Sequence, residues 1–231
     1  MSLIRRIPAA LGTIAASLRG RLAHGFGRRP EPIADRAAFR RFLHTRSNYM
    51  AQYSLYGYLR TRTGVRFPEL FNDDDFVRSI NIAKWHVWLA CLADLAVYAG
   101  GLVLQRAHAP ASEVGMLVSA AVEAILSEVG VPADAGGEFP EHATRVRARI
   151  ALCDWSSVAD DESAFSESPA ALVRYSPVTD ELRQLDEEIV KNSVRFRWQE
   201  IRRQLRENLD AEGVLAYESS QARAPVPGDT A

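Results

Sequence analysis

The chain has 231 residues, of which 47% are hydrophobic and 25% charged; this composition is typical of a globular protein and excludes wholesale disorder. Its formal net charge of −1 hides a strong asymmetry: residues 1–66 carry +11, with 13 Arg against two carboxylates, whereas residues 67–231 carry −12. Either the two parts contact each other, or the basic part faces an anionic surface such as a phospholipid membrane or a nucleic acid.

Residues 1–29 have the pattern of a basic amphipathic helix. Apolar side chains recur every three or four residues and would form one stripe: Ile4, Ile7, Leu11, Ile14, Leu18 and Leu22. Four arginines lie off that stripe: Arg5, Arg6, Arg19 and Arg21. This pattern favours a helix that lies on an anionic membrane surface, and a core-docked helix or a secretory signal is the alternative. A signal is disfavoured because the apolar run is Ala-rich and lacks a small-residue cleavage site.

A short proline linker over residues 30–34 precedes the next helix, which is predicted over residues 35–63 and ends at Gly64. Tyrosines and arginines are interleaved along this helix, as in proteins that stack bases on aromatic rings and neutralise phosphates with Arg. The spacing of the tyrosines is nevertheless that of a packed stripe. The pattern therefore favours packing over nucleic-acid binding.

The helix predicted over residues 75–105 is the most apolar in the chain. Residues 87–104 form an 18-residue run in which Asp94 is the single charge. The run just reaches the length of a transmembrane helix, but a central carboxylate would cost about 2.5–3.5 kcal/mol in a bilayer. It therefore favours a buried core helix over a membrane span. Gly100 and Gly101 in the same run indicate close packing.

Three further helices are predicted, over residues 112–130, 141–155 and 179–210. Ser112 is the expected cap of the first of them. Residues 156–168 are acidic and Ser-rich, which predicts an exposed connection with at most one turn of helix.

The last predicted helix carries two apolar stripes, about 120° apart on a helical wheel. One stripe consists of Leu182, Leu185, Ile189 and Phe196, and the other of Val190, Val194, Trp198, Ile201 and Leu205. A helix with two apolar stripes usually contacts two partners, so residues 179–210 are a candidate interface for a homo-oligomer or another protein. Residues 214–231 offer little to bury and are predicted to be disordered.

These elements predict an all-α fold. We expect a single helical-bundle domain of about five helices over residues 35–213, preceded by the separate amphipathic helix. No segment alternates convincingly with a period of two, and none therefore indicates a β-strand.

The sequence contains no familiar catalytic or nucleotide-binding motif. Neither G-x-S-x-G, G-x-x-x-x-G-K-[ST] nor G-x-G-x-x-G occurs. The weak catalytic candidates are Asp94 and His86. A buried carboxylate needs a partner, and an ion pair with an arginine, for instance from residues 195–206, would give Asp94 a structural role. A general acid or base is the alternative.

Cysteine and histidine spacing argues against disulfide and metal frameworks. Cys91 and Cys153 lie among apolar residues, which is typical of buried thiols in a reducing cytoplasm. No two of the five histidines are spaced i, i+4, and no cysteine or carboxylate joins them at a ligand spacing. We therefore expect no metal and no other cofactor.

Three stretches carry a family resemblance: SLYGYLRTRTGVRFPELF, DDDFVRSINIAKWHVWLACLADL and DEEIVKNSVRFRWQEIRRQL. They resemble a proteobacterial family of proteins of about this length, uncharacterised in function, and the likeness covers most of residues 35–210. Members are sometimes labelled esterase. No motif here supports that label, and the resemblance implies no site residue.

These patterns lead to one main functional hypothesis and two alternatives. The main hypothesis is a non-enzymatic adaptor, assembly factor or scaffold that is cytoplasmic and held peripherally at the inner membrane by residues 1–29. The first alternative is a hydrolase with an unfamiliar all-helical site near Asp94 and His86. The second is a nucleic-acid-binding protein that acts through residues 35–63.

Overall fold

The computed structural model of the protein describes residues 31–221, with side chains up to residue 216. Within this range the chain forms seven α-helices and no β-strand, which confirms the predicted all-α fold. The helices are α1 (Arg36–Thr63), α2 (Asp74–Ala107), α3 (Ala111–Val129), α4 (Phe139–Ala151), α5 (Glu167–Tyr175), α6 (Asp180–Asn208) and α7 (Ala211–Gln221). Two 3-10 segments, Gly64–Asn72 and Trp155–Ser157, lie between them.

Side-chain caps account for the starts of the two longest N-terminal helices. The Asp35 carboxylate accepts a hydrogen bond of 2.7 Å from the Ala38 N–H at the start of α1. Gly64 ends α1 at φ 55°, a left-handed conformation that favours glycine. At the start of α2, the Asp73 carboxylate accepts from the backbone N–H groups of Asp75 and Phe76.

Helix α2 is the centre of the fold and packs against α1, α3, α4, α5 and α7. By length and composition it could cross a membrane, but 89% of its most apolar window is buried against the rest of the protein. This burial agrees with the core-helix interpretation of residues 87–104. A Cβ atom added at Gly100 would lie 2.2 Å from Cζ3 of Trp155, so this glycine permits close approach of the 3-10 segment.

Several predicted boundaries in the middle of the chain are wrong. Helix α3 begins at Ala111 and has Pro110, not Ser112, as its N-cap. Helix α4 ends at Ala151 and not at residue 155. The connection over residues 156–168 is only partly exposed, because Phe165 is buried, and it leads into α5, which was not predicted.

The termini of the helical domain also differ from prediction. Ile33, expected in a linker, is buried and pairs with Leu209 in a parallel bridge: its N–H donates to the Asn208 carbonyl at 2.8 Å, and its carbonyl accepts from Asp210 N–H at 3.0 Å. The predicted disordered tail is wrong at its start, because α7 continues to Gln221 and Val214 is buried. The predictions for residues 1–29 and 222–231 lie outside the described residues.

The basic helix α1 meets acidic side chains of the remaining chain. Arg62 pairs with the buried carboxylate of Asp186 on α6, which also accepts a hydrogen bond of 2.9 Å from the Tyr58 hydroxyl. Arg40 lies 3.7 Å from Glu128 on α3. Part of the charge asymmetry is therefore neutralised inside the fold.

Candidate functional site

Asp94 is fully buried, and its carboxylate accepts three hydrogen bonds, one of which is part of an ion pair. The Arg149 guanidinium donates to its carboxylate at 2.6 Å, and the backbone N–H groups of Glu167 and Ser168 donate at 3.1 and 2.7 Å. The same guanidinium donates to the Ala164 carbonyl at 2.8 Å. The expected arginine partner is present, but it comes from α4 and not from residues 195–206.

The Asp94 carboxylate acts as the N-terminal cap of α5, although it belongs to α2. The local N-cap residue, Ser166, makes no side-chain capping bond. Burial raises the pKa of the Asp94 carboxyl, while Arg149 and the hydrogen bonds from Ser168 oppose that rise. Ser168 in turn accepts from the Trp198 indole at 2.9 Å. One carboxylate therefore joins α2, α4 and α5, and α6 is attached through Ser168.

A cleft of about 370 Å³ lies between α2, α4 and α5, and Arg149 lines it. The polar side chains on its wall are His86, His142, Arg145, Arg149, Glu167, Arg174 and Tyr175. Leucine, valine and alanine side chains form the rest. Of the two catalytic candidates, the cleft therefore contains His86 and not Asp94, which lies behind Arg149 and does not line it.

Two histidines meet on the wall of the cleft. Nδ1 of His86 lies 2.5 Å from Nδ1 of His142. One of these nitrogens therefore carries the hydrogen and donates the hydrogen bond, and the other accepts it. Burial, together with smaller effects of His142 and Arg174, lowers the pKa of His86 to about 4, and Glu138 partly opposes this change. Burial and Arg145 also lower the pKa of His142. The pair is therefore uncharged near neutral pH.

Tyr175 completes this cluster. Its ring stacks on His86 with 4.3 Å between centroids, and its hydroxyl lies 3.3 Å from Nε2 of His142. Burial raises the pKa of the Tyr175 phenol, so the hydroxyl keeps its proton at neutral pH. The phenol and the two imidazoles form a continuous path along which a proton can move.

The wall of the cleft carries more positive than negative side chains. Arg149 is paired with Asp94, and Arg145 lies 2.5 Å from Glu141. Within residues 31–221 Arg174 forms no ion pair; its guanidinium lies 5.3 Å from the centroid of the Tyr175 ring. Glu167 is the only carboxylate among the lining residues. An anion is therefore the ligand that this wall accommodates most readily.

The described part of the chain gives no support for a metal site or for an esterase nucleophile in the cleft. No group of three or more His, Cys, Asp or Glu side chains there is arranged to hold a metal ion. The cleft is also lined by no Ser, Thr or Cys, the usual nucleophiles of an esterase. Cys91 is buried elsewhere, and burial raises the pKa of its thiol well above the ordinary value.

Sequence reasoning identified His86 but not His142 or Tyr175. The three residues lie on α2, α4 and α5, and no spacing along one helix relates them. Comparison of the chain with protein-family models, curated proteins and solved structures finds no match in any of the three, so the chemistry of the cleft itself is the basis for assigning a function.

Proposed function

We propose that the protein binds a small organic anion in the cleft between α2, α4 and α5. The supporting observation is the lining: three guanidinium groups face a cleft of about 370 Å³ that contains one carboxylate, Glu167. A phosphate or carboxylate group would contact Arg174 and Arg149, because guanidinium groups match these anions in geometry and charge. The apolar part of such a ligand would contact Leu89 and Ala93.

The two imidazoles couple binding to protonation. In the free protein the pKa values of His86 and His142 are low, so the pair is uncharged. A bound anion raises the pKa of a nearby imidazole, since it stabilises the positive charge. Binding therefore takes up a proton and becomes stronger as the pH falls toward the pKa of His142.

Thermal unfolding with phenyl phosphate, and with phenol as the uncharged control, tests this proposal. We expect millimolar phenyl phosphate to raise the melting temperature of the wild-type chain, because a ligand that binds only the folded state stabilises it, and phenol to have no effect. Arg174→Gln should lose most of the rise. Arg78→Gln is the matched control, because Arg78 is exposed at the start of α2 and pairs with Asp75.

Two results would refute the proposal. One is an unchanged melting temperature with phenyl phosphate, benzoate and inorganic phosphate alike. The other is an Arg174→Gln variant that responds as strongly as the wild-type chain.

We also propose that residues 1–29 attach the protein peripherally to an anionic membrane, as an adaptor or scaffold would require. The sequence pattern supports this: an apolar stripe with arginines beside it, each adding about 1 kcal/mol near an anionic surface. Flotation with phosphatidylserine-containing liposomes tests it. The full-length chain should float, and a variant with Arg5, Arg6, Arg19 and Arg21 replaced by Gln should not; equal flotation of the two removes this proposal.

A further inference from the structure

Helix α6 exposes one of its two apolar stripes. Leu185, Ile189 and Phe196 are 72%, 71% and 71% exposed, whereas Val190, Val194, Trp198, Ile201 and Leu205 face the core and are buried. Side chains this large and this exposed, on one face of one helix, are unusual for a surface that faces only water.

The spacing of the exposed stripe is that of a coiled-coil seam. Leu182, Leu185, Ile189, Asn192 and Phe196 follow one another at steps of three, four, three and four residues. This alternation is the a/d pattern by which two helices pack side chains into each other. Asn192, in the middle of the seam, is the kind of polar residue that fixes the register of such a pair at some cost in stability.

Charge is distributed unequally along α6. Apart from Asp186, which is buried and paired with Arg62, its first third holds Asp180, Glu181, Glu187 and Glu188 against Arg183. Its last part holds Arg195, Arg197, Arg202, Arg203 and Arg206 against Glu200 and Glu207. A second copy of α6 in parallel orientation would place acidic groups beside acidic groups. In antiparallel orientation the acidic part of each copy lies beside the basic part of the other.

We propose that α6 is a self-association helix that pairs with α6 of a second copy of this chain in antiparallel orientation. The two-fold axis passes close to Asn192. Glu188 and Arg195, which lie four residues before and three residues after Asn192, then face each other across the interface in both directions. Such an isologous interface is closed, because the same surface is used by both copies. It does not depend on the ligand proposed for the cleft.

Sedimentation equilibrium of the full-length chain tests self-association. The monomer has a mass of 25.6 kDa, and we expect the weight-average mass to approach twice this value as the protein concentration rises. Ile189→Asp should stay monomeric at every concentration. Leu152→Asp is the matched control: Leu152 is 84% exposed and lies at the end of α4, so this variant should dimerise as the wild-type chain does.

Charge reversal tests the orientation. Glu188→Arg and Arg195→Glu should each weaken the dimer, because each places like charges together in the interface. The double variant restores the opposite pairs and should dimerise nearly as strongly as the wild-type chain.

Three results would overturn the proposal. If the wild-type chain stays monomeric, α6 does not self-associate, and its exposed stripe would contact a different protein or a membrane surface instead. A dimer that survives Ile189→Asp lies elsewhere on the protein. A double variant no stronger than the single variants excludes the antiparallel pairing of Glu188 with Arg195.

Discussion

Replacing Asp94 by alanine removes the carboxylate that joins three helices. Arg149 loses its ion pair and keeps only its hydrogen bond to the Ala164 carbonyl. The N–H groups of Glu167 and Ser168 lose their acceptor at the start of α5. Asp94 itself is 0% exposed, so water does not readily replace the carboxylate at these two N–H groups.

The expected loss of stability is large. Removing one partner of a buried ion pair costs about 3–5 kcal/mol, and removing a helix cap costs about 1 kcal/mol. The side chain of Arg149 is 24% exposed and can reach water through the cleft, which limits the penalty of its unpaired charge. We therefore expect Asp94→Ala to lower the free energy of unfolding by about 3–4 kcal/mol. Asp94→Asn keeps one acceptor oxygen and should lose less.

Denaturant unfolding followed by far-UV circular dichroism measures this effect. Asp180→Ala is the matched control, because Asp180 lies at the start of a helix and pairs with an arginine, Arg183, but its side chain is 79% exposed. An exposed pair of this kind contributes less than about 1 kcal/mol. If Asp94→Ala is no more destabilising than Asp180→Ala, the structural role assigned to Asp94 is wrong.

Two further predictions concern pH and packing. The pKa of His86 is about 4 in the folded chain and 6.5 in the unfolded chain, so the unfolded state takes up the proton first as the pH falls. From about pH 7.5 to about pH 5 the wild-type chain should therefore lose about 2 kcal/mol more stability than His86→Gln, and equal losses in denaturant titrations would contradict this reasoning. Gly100→Ala would place a Cβ atom 2.2 Å from Trp155 and should cost about 1–3 kcal/mol. Its control, Gly137→Ala, meets nothing within 4 Å, and similar melting temperatures of the two variants would argue against close packing at Gly100.

The helices that the sequence predicted well are those with local start and end signals. Asp35 and Gly64 delimit α1, and Gly130 follows α3, as their chemistry predicts. Helix α5 was missed because it is only nine residues long and its capping carboxylate comes from α2, far away in the sequence. Helix α7 was missed because it is short and its few buried residues, Val214 and Leu215, are followed by a polar sequence that offers little to bury.

Only the features of the site that depend on a single residue could be predicted from the sequence. A charge inside an apolar run identified Asp94, and the need for an arginine partner follows from the cost of burying a charge. Which arginine is close depends on how α2 and α4 pack, and a helical wheel does not contain that information. The contact between His86 and His142 is likewise a product of tertiary structure, since 56 positions separate them.

The bridge between Ile33 and Leu209 has a consequence for the order in which the protein is made. Ile33 leaves the ribosome long before Leu209 does, yet both of its backbone hydrogen bonds go to residues at the end of α6 and just beyond it. During synthesis the backbone N–H and carbonyl of Ile33 therefore have no native hydrogen-bond partner until nearly the whole helical domain has emerged. A contact of such large sequence separation forms slowly. The pairing of Ile33 with Leu209 is thus among the last parts of the fold to form.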